Sequence, residues 1–167
     1  MSNTDLELVD GRPALHIERR LDHSVERVWR AITDPDELRQ WYPGVPEWTL
    51  EPGVRFTSEG GNEAKGLITE VDPPRLLAYE WDGELFRFEL SPDGDGCLLK
   101  FMHVFDDRAL GAQHAAGWEI YFNRLDAHLA GGFLSSEETH EAVAELQREY
   151  AEQFGLEGGR PQSGPDR

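Results

Sequence analysis

Apolar and polar residues alternate near the start of the chain and through its middle third, which is the pattern of half-buried strands. The first run covers residues 14–21, where Leu15, Ile17 and Arg19 fall on one face. Five more strand candidates follow, each bounded by turn-forming residues: 48–50 leading into 53–57, 65–71, 76–81, 85–90 and 98–105. Because the breaks between them are short, we expect these strands to form an antiparallel meander.

Two short helices are predicted between the first strand and the meander. Ser24 is expected to cap a helix over residues 25–32, whose apolar positions recur at helical spacing. Asp34 is expected to cap a second helix over residues 35–41, with Glu37 as the reciprocal member of a capping box.

The spacing of apolar residues changes to three or four over residues 110–130, which predicts one long helix centred on Trp118. Gly131 is expected to help end it. A capping-box pattern that begins at Ser135 predicts a further amphipathic helix over residues 133–155. That helix would either pack back on the domain or pair with a second copy of the chain.

These elements divide the chain into four segments. We expect a flexible N-terminus over residues 1–12, one α+β domain over 13–132, the additional helix over 133–155 and a disordered tail over 156–167. The order of elements is strand, two helices, meander and long helix, and layer rules place that helix on one face of the sheet.

Residues in this order resemble the START-like superfamily (SRPBCC), and within it the group related to the activator of the heat-shock protein 90 ATPase. The resemblance covers residues 14–131. It rests on an ordered set of short matches: Val28-Trp29, Thr33-Asp34-Pro35, Leu38, Trp41, Gly66-Leu67-Ile68, Glu70-Val71-Asp72-Pro73-Pro74, Arg75-Leu76, Tyr79-Glu80-Trp81, His103, Gly117-Trp118 and Leu125.

The resemblance implies a helix-grip fold, in which a bent antiparallel sheet of about six or seven strands surrounds the long C-terminal helix. It also implies a cavity between the sheet and that helix. The superfamily includes lipid carriers, hormone receptors, cyclases, oxygenase domains and chaperone activators. No single activity therefore follows from the resemblance.

The charge of the chain limits the classes of partner that it is expected to bind. Sixteen Lys and Arg stand against 33 Asp and Glu, giving a formal net charge of −17. Such a surface repels phosphate backbones and anionic lipids, so we expect neither nucleic-acid nor membrane binding. No stretch approaches the roughly 20 apolar residues of a membrane span, and no signal peptide is recognised. Cys97 is the only cysteine, which favours a reducing cytoplasm.

Aromatic and histidine side chains are the candidate ligand contacts. On alternation, Phe101 and His103 lie on the inner face of the last strand, and His114 lies one turn before Trp118 on the long helix. Gly117 would allow either a ligand or tight packing beside that helix. The predicted site residues are Trp41, Tyr79, Trp81, Phe101, His103, His114, Trp118, Tyr121 and Phe122. The same side chains also suit an ordinary core, so composition alone does not decide.

No motif for a metal, a cofactor or a nucleophile is recognised: the histidines are scattered, and no Gly-x-Ser-x-Gly or phosphate loop is present. We expect no cofactor and no metal. The leading hypothesis is the binding of a small hydrophobic, aromatic molecule by a monomer or homodimer. The alternatives are a cyclase- or hydrolase-type enzyme with His103 or His114 as the base, and a chaperone-activator-like module that binds a protein partner.

Overall fold

The described residues form a single antiparallel sheet of eight strands in the order β1-β2-β8-β7-β6-β5-β4-β3. The computed structural model describes residues 2–42, 44–58, 61, 64–132 and 136–156. The strands are β1 (Ser2–Val9), β2 (Arg12–Leu21), β3 (Pro46–Glu47), β4 (Arg55–Ser58), β5 (Gly66–Asp72), β6 (Leu76–Trp81), β7 (Glu84–Asp93) and β8 (Gly96–Val104). Each strand pairs antiparallel with its neighbours in the sheet.

Helices pack against the inner face of this sheet and against one another. They are α1 (Val25–Thr33), α2 (Pro35–Leu38), α3 (Gly111–Leu129) and α4 (Ser136–Phe154), and a 3₁₀ turn over Arg108–Leu110 leads into α3. The buried side of α3 includes Trp118, Phe122 and Leu125, which join the same core as the inward residues of the strands. The α+β helix-grip prediction is confirmed. Within the described part of the chain, no helix has the length and apolar character needed to span a membrane.

The N-terminal segment differs from the flexible stretch that its polar composition suggested. Residues 2–9 form the edge strand β1, paired with β2 from Ser2↔Arg19 to Val9↔Arg12. The connection is a two-residue turn in which Asp10 and Gly11 have φ of 54° and 81°. An Asp-Gly pair with two positive φ values gives the tight hairpin turn that suits twisted strands. Together with the short β3, this strand raises the count above the expected six or seven.

The starts of both short helices are confirmed. The backbone N–H of Arg27 donates to Ser24 Oγ at 3.1 Å, and that of Asp36 donates to Asp34 Oδ1 at 2.9 Å. The capping-box role of Glu37 is wrong. In a capping box, Glu37 would accept a hydrogen bond from the backbone N–H of Asp34. That N–H already donates to the Arg30 carbonyl at 2.9 Å, as the last hydrogen bond of α1.

Glu37 instead ties the two short helices to the end of α3. Its carboxylate accepts from Arg27 Nη1 at 2.7 Å and from Arg30 Nε at 2.8 Å, and His128 Nε2 lies 2.9 Å from Oε1. Burial by itself raises the pKa of Glu37, but hydrogen bonds from His128, Arg27 and Arg30 outweigh it and lower that pKa to about 2.

The additional helix packs back on the domain. α4 lies along α3 and is fastened at its C-terminal end to β1. Tyr150 OH lies 3.2 Å from Thr4 Oγ1, and Gln153 Nε2 donates to the Thr4 carbonyl at 2.6 Å. Arg108 Nη2 donates to the Phe154 carbonyl at 2.9 Å. The capping pattern expected at residues 135–138 and the expected tail beyond residue 156 lie outside the described residues and side chains.

We predict that Glu37→Gln lowers the free energy of unfolding at pH 7 by about 1–3 kcal/mol, since it leaves two arginines short of a charged acceptor. Because the folded pKa of Glu37 lies below its ordinary value of 4.5, this stabilisation is complete above pH 4.5 and is lost as the pH falls through about 2. In urea unfolding measured from pH 7 downward, the free energies of unfolding of wild-type protein and Glu37→Gln should therefore converge in acid. The exposed loop variant Glu51→Gln is the matched control, and a pH-independent gap for Glu37→Gln would contradict the assignment.

Candidate functional site

Trp118, on the inner face of α3, lines two cavities of the described structure. The first, which we call the aromatic cavity, has a volume of about 290 Å³. Seven aromatic side chains line it: Tyr42, Trp48, Phe56, Tyr79, Trp81, Phe86 and Trp118. Gly44, Pro46 and Ser58 complete its wall. Ligand pockets span about 300–1,000 Å³, so this cavity has the size of a small ligand.

Because side chains alternate between the two faces of a strand, the cavity rings that lie on strands point to the inner face of the sheet. Tyr79 and Trp81 are two residues apart on β6 and share its inner face, while Phe56 and Phe86 come from β4 and β7. The rings contact one another edge-on or stacked, and Tyr79 stacks on Phe86 at 5.3 Å between centroids. Gly66 on β5 makes room for this wall, since a Cβ there would lie 2.3 Å from the Phe56 ring.

Two tyrosine hydroxyls supply the polar contact in the aromatic cavity. Tyr42, in the turn after α2, is hydrogen-bonded through its hydroxyl to that of Tyr79. Burial raises the pKa of Tyr42 to about 12 and that of Tyr79 well above its ordinary value, so both are neutral. The pair uses one of its two hydroxyl hydrogens. The other can therefore be donated to a ligand that carries an acceptor.

The second cavity, which we call the histidine cavity, has a volume of about 430 Å³ and lies between α3, α4 and strands β7 and β8. Its wall is more polar than that of the aromatic cavity. The lining residues are Phe86, His103, Gln113, His114, Gly117, Trp118, Tyr121, Val143 and Gln147. The rings of Phe86 and Trp118 are common to both cavities.

A series of hydrogen bonds fixes His103 in the wall of the histidine cavity, beside Trp118. The Trp118 indole N–H donates to His103 Nδ1 at 3.1 Å, and His103 Nε2 lies 2.7 Å from Glu84 Oε1. Because an indole nitrogen can only donate, Nδ1 is the acceptor and Nε2 carries the hydrogen. Nε2–H therefore donates to Glu84, and both ring nitrogens of His103 are occupied.

The His114 ring lies beside these hydrogen bonds, and one of its two nitrogens has no hydrogen-bond partner among the described residues. Its ring centroid is 4.8 Å from that of His103. Nε2 of His114 is buried and has no hydrogen-bond partner among the described residues. Burial, and to a lesser extent His103, lowers the pKa of His114 to about 4, and burial lowers that of His103 to about 4 as well. Both rings are therefore neutral at pH 7.

Glu84, His103 and His114 are also arranged as a metal site would be, because their ligand atoms all lie within 4.8 Å of one another. The tautomer of His103 opposes that use. A metal on Nε2 needs the lone pair there, which moves the ring hydrogen to Nδ1. That hydrogen would then point at the Trp118 N–H. The trio thus fits a hydrogen-bonded arrangement with neutral imidazoles better than a metal site.

The predicted site residues fall into three groups. Tyr79 and Trp81 line the aromatic cavity, and Trp118 lines both cavities. The histidine cavity receives His103, His114 and Tyr121. Trp41, Phe101 and Phe122 line neither of these two cavities.

These last three residues are core residues at most 2% exposed. The Trp41 indole N–H donates to the Ala31 carbonyl at 2.9 Å. The rings of Phe101 and Phe122 lie behind Trp118, at 4.3 Å and 5.6 Å between centroids. They hold Trp118 in place rather than forming a cavity wall.

Among the lining residues of the aromatic cavity, the predicted set missed Tyr42, Trp48, Phe56 and Phe86. It also missed Glu84, the partner of His103. Glu84 could have been found by counting back from the hairpin at Asp93↔Gly96, which pairs Phe86 with His103. Glu84 is then a diagonal neighbour of His103, within reach of a long side chain. Tyr42 follows a short helix in an irregular turn, and only the tertiary fold brings it to Tyr79.

Comparison with known proteins places the chain in a recognised family. A family model described as Activator of Hsp90 ATPase homolog 1-like protein matches residues 22–130. The crystal structure of CalU16 from Micromonospora echinospora is 25% identical, with a TM-score of 0.73 over 91% of this chain and 97% of that one. EF2215, a conserved protein of unknown function from Enterococcus faecalis, is 20% identical, with a TM-score of 0.66 over 89% and 91%. No curated protein matches the sequence.

We predict that stability depends on pH through His103. Its folded pKa of about 4 lies below the ordinary 6.5, so the stabilisation is complete above pH 6.5 and is lost as the pH falls towards 4. In His103→Gln the amide can still accept from Trp118 and donate to Glu84, but it does not titrate in this range. In urea unfolding, wild-type protein should lose roughly 1–3 kcal/mol relative to this variant between pH 7 and pH 4. Parallel pH profiles would contradict the assignment.

Proposed function

Because the chain belongs to the Activator of Hsp90 ATPase homolog 1-like family, whose shared fold does not fix function, we propose its function from its own cavities. We propose that it binds a small, largely apolar aromatic molecule with a hydrogen-bond acceptor, such as an aromatic carbonyl compound, in the aromatic cavity. The observation that carries this proposal is the convergence of seven aromatic rings on one cavity that also contains the hydroxyl pair of Tyr42 and Tyr79.

The energetics of such a site follow from its wall. Binding of an aromatic ligand would remove apolar surface of the ligand and of the rings from water. This burial would stabilise the complex by about 25 cal/mol per Å². The rings are already packed against one another, so little side-chain ordering would oppose binding. One donated hydroxyl hydrogen would fix the orientation of the ligand, because a buried acceptor without a partner is costly.

An enzyme of the cyclase or hydrolase type would need a histidine with a free lone pair. His103 has none, since it accepts from Trp118 and donates to Glu84. His114 remains, but with a pKa of about 4 it is a weak base at neutral pH. The hydrogen bonding thus favours binding over catalysis.

Binding of a protein partner draws support from the family's description and from the net charge of −17, which would complement a basic surface. Neither specifies a contact on this chain, whereas the aromatic cavity offers a defined site. A cytoplasmic location and a monomeric or homodimeric state stay predictions.

The proposal predicts saturable binding of 1-indanone, a small aromatic ketone that can accept but not donate a hydrogen bond. Isothermal titration calorimetry should give weaker binding for indane, its hydrocarbon counterpart. Tyr42→Phe alone would leave the hydroxyl hydrogen of Tyr79 free for the ligand, so the test removes both hydroxyls. The double variant Tyr42→Phe/Tyr79→Phe should weaken 1-indanone by roughly 2–10-fold and change indane much less.

Tyr121→Phe is the matched control, because it removes the same atom from a ring that lines only the histidine cavity. It should leave both affinities unchanged. Equal losses for the two probes in Tyr42→Phe/Tyr79→Phe, or no saturable binding of either probe by the wild-type protein, would overturn the proposal.

A further inference from the structure

The aromatic cavity has a second end, away from the hydroxyls of Tyr42 and Tyr79. Phe56 on β4 and Trp81 on β6 lie level with each other, because both pair with the same residue of β5 between them. β4 and β6 run in the same direction, since each is antiparallel to β5. Tyr79 comes two residues before Trp81, whereas Ser58 comes two residues after Phe56. The backbones of Tyr79 and Ser58 therefore lie on opposite sides of this level, each about 7 Å along its strand.

Ser58 is the polar group of this second end. It lines the cavity together with Gly44 and Pro46, whose side chains offer no hydrogen-bonding group. The Ser58 hydroxyl makes no hydrogen bond to a described residue, and it is not sealed in the protein interior. A hydroxyl group can both donate and accept. The second end of the cavity therefore offers an accessible polar atom that a ligand can satisfy.

The tryptophans of the cavity wall leave one further donor unused. Trp48 and Trp118 each donate their indole N–H to a protein acceptor, at 3.0 Å and 3.1 Å. The indole N–H of Trp81 makes no hydrogen bond to a described residue, and it is not sealed from solvent. Apart from the tyrosine pair, the side-chain donors left over among the described lining residues therefore belong to Trp81 and Ser58.

The wall also limits the charge and shape of the ligand. None of the described lining residues is acidic, basic or a histidine, so a charged group on the ligand would be buried without a partner. Phe56 and Trp81 lie between the two ends and favour a flat apolar body. A hydroxyl group on that body can accept from Ser58 or Trp81 and can donate to Ser58. It therefore fits the second end whichever way the Ser58 hydroxyl turns.

We propose that the aromatic cavity holds its ligand at both ends, and that this ligand is a neutral aromatic ketone with a hydroxyl group on the far side of its ring. The carbonyl accepts from the pair of Tyr42 and Tyr79, and the hydroxyl group hydrogen-bonds to Ser58. This inference rests on the function proposed for the aromatic cavity and narrows the ligand class. Ser58 then determines specificity, because it distinguishes a hydroxylated ring from a plain one.

The test uses the full chain and isothermal titration calorimetry with 5-hydroxy-1-indanone and 5-methyl-1-indanone. The two probes have nearly the same shape and differ in the group that lies across the ring from the carbonyl. Ser58→Ala should weaken the hydroxyl probe by roughly 3–10-fold and leave the methyl probe within about twofold. Ser91→Ala, at an exposed serine of β7, is the matched control and should change neither affinity.

The outcomes separate this inference from the function on which it rests. Equal losses for the two probes in Ser58→Ala, or unchanged binding of the hydroxyl probe, would overturn the contact with Ser58. If 1-indanone still binds and loses affinity in Tyr42→Phe/Tyr79→Phe, the aromatic cavity keeps its proposed function and only the second contact fails. Failure of the proposed function itself would appear as no saturable binding of 1-indanone or of either probe by the wild-type protein.

Discussion

One hydrogen bond organises the interior of this protein: the Trp118 indole N–H donates to His103 Nδ1 and so joins α3 to β8. An indole nitrogen can only donate, so this bond sets the tautomer of His103, and the tautomer directs Nε2–H to Glu84. The ring of Trp118 is held from behind by Phe101 and Phe122. Its position then fixes the two cavities that share its surface. The division into an aromatic and a histidine cavity therefore depends on this contact.

The walls of the two cavities share one electrostatic property. Both lack positive charge on their described lining residues, and burial keeps Tyr42, Tyr79, His103 and His114 neutral at pH 7. The ligand that we propose for the aromatic cavity therefore carries a neutral polar atom on an apolar body. The aromatic cavity offers a spare donor from Tyr42 and Tyr79. In the histidine cavity, Trp118 and Glu84 occupy both nitrogens of His103.

Much of the fold could be predicted from local patterns, because strand alternation, helical spacing and caps at Ser24 and Asp34 depend on near neighbours. Contacts between elements that are far apart in the sequence were harder to predict. The role of Glu37 depends on His128 at the end of α3, and that of Tyr42 on a strand 37 residues away. Trp41 shows why site residues are hard to predict from sequence. An inward-facing tryptophan has the same sequence pattern whether it lines a cavity or fills the core.

We propose that the space between the sheet and α3 holds a small aromatic molecule. A crystal structure of the protein grown with 1-indanone tests it most directly. We expect the ring of the probe among Trp48, Phe86 and Trp118, with its oxygen about 3 Å from the hydroxyl of Tyr42 or Tyr79. Side chains that collapse to fill the cavity and exclude the probe, or density for it only on the outer surface, would rule this binding site out.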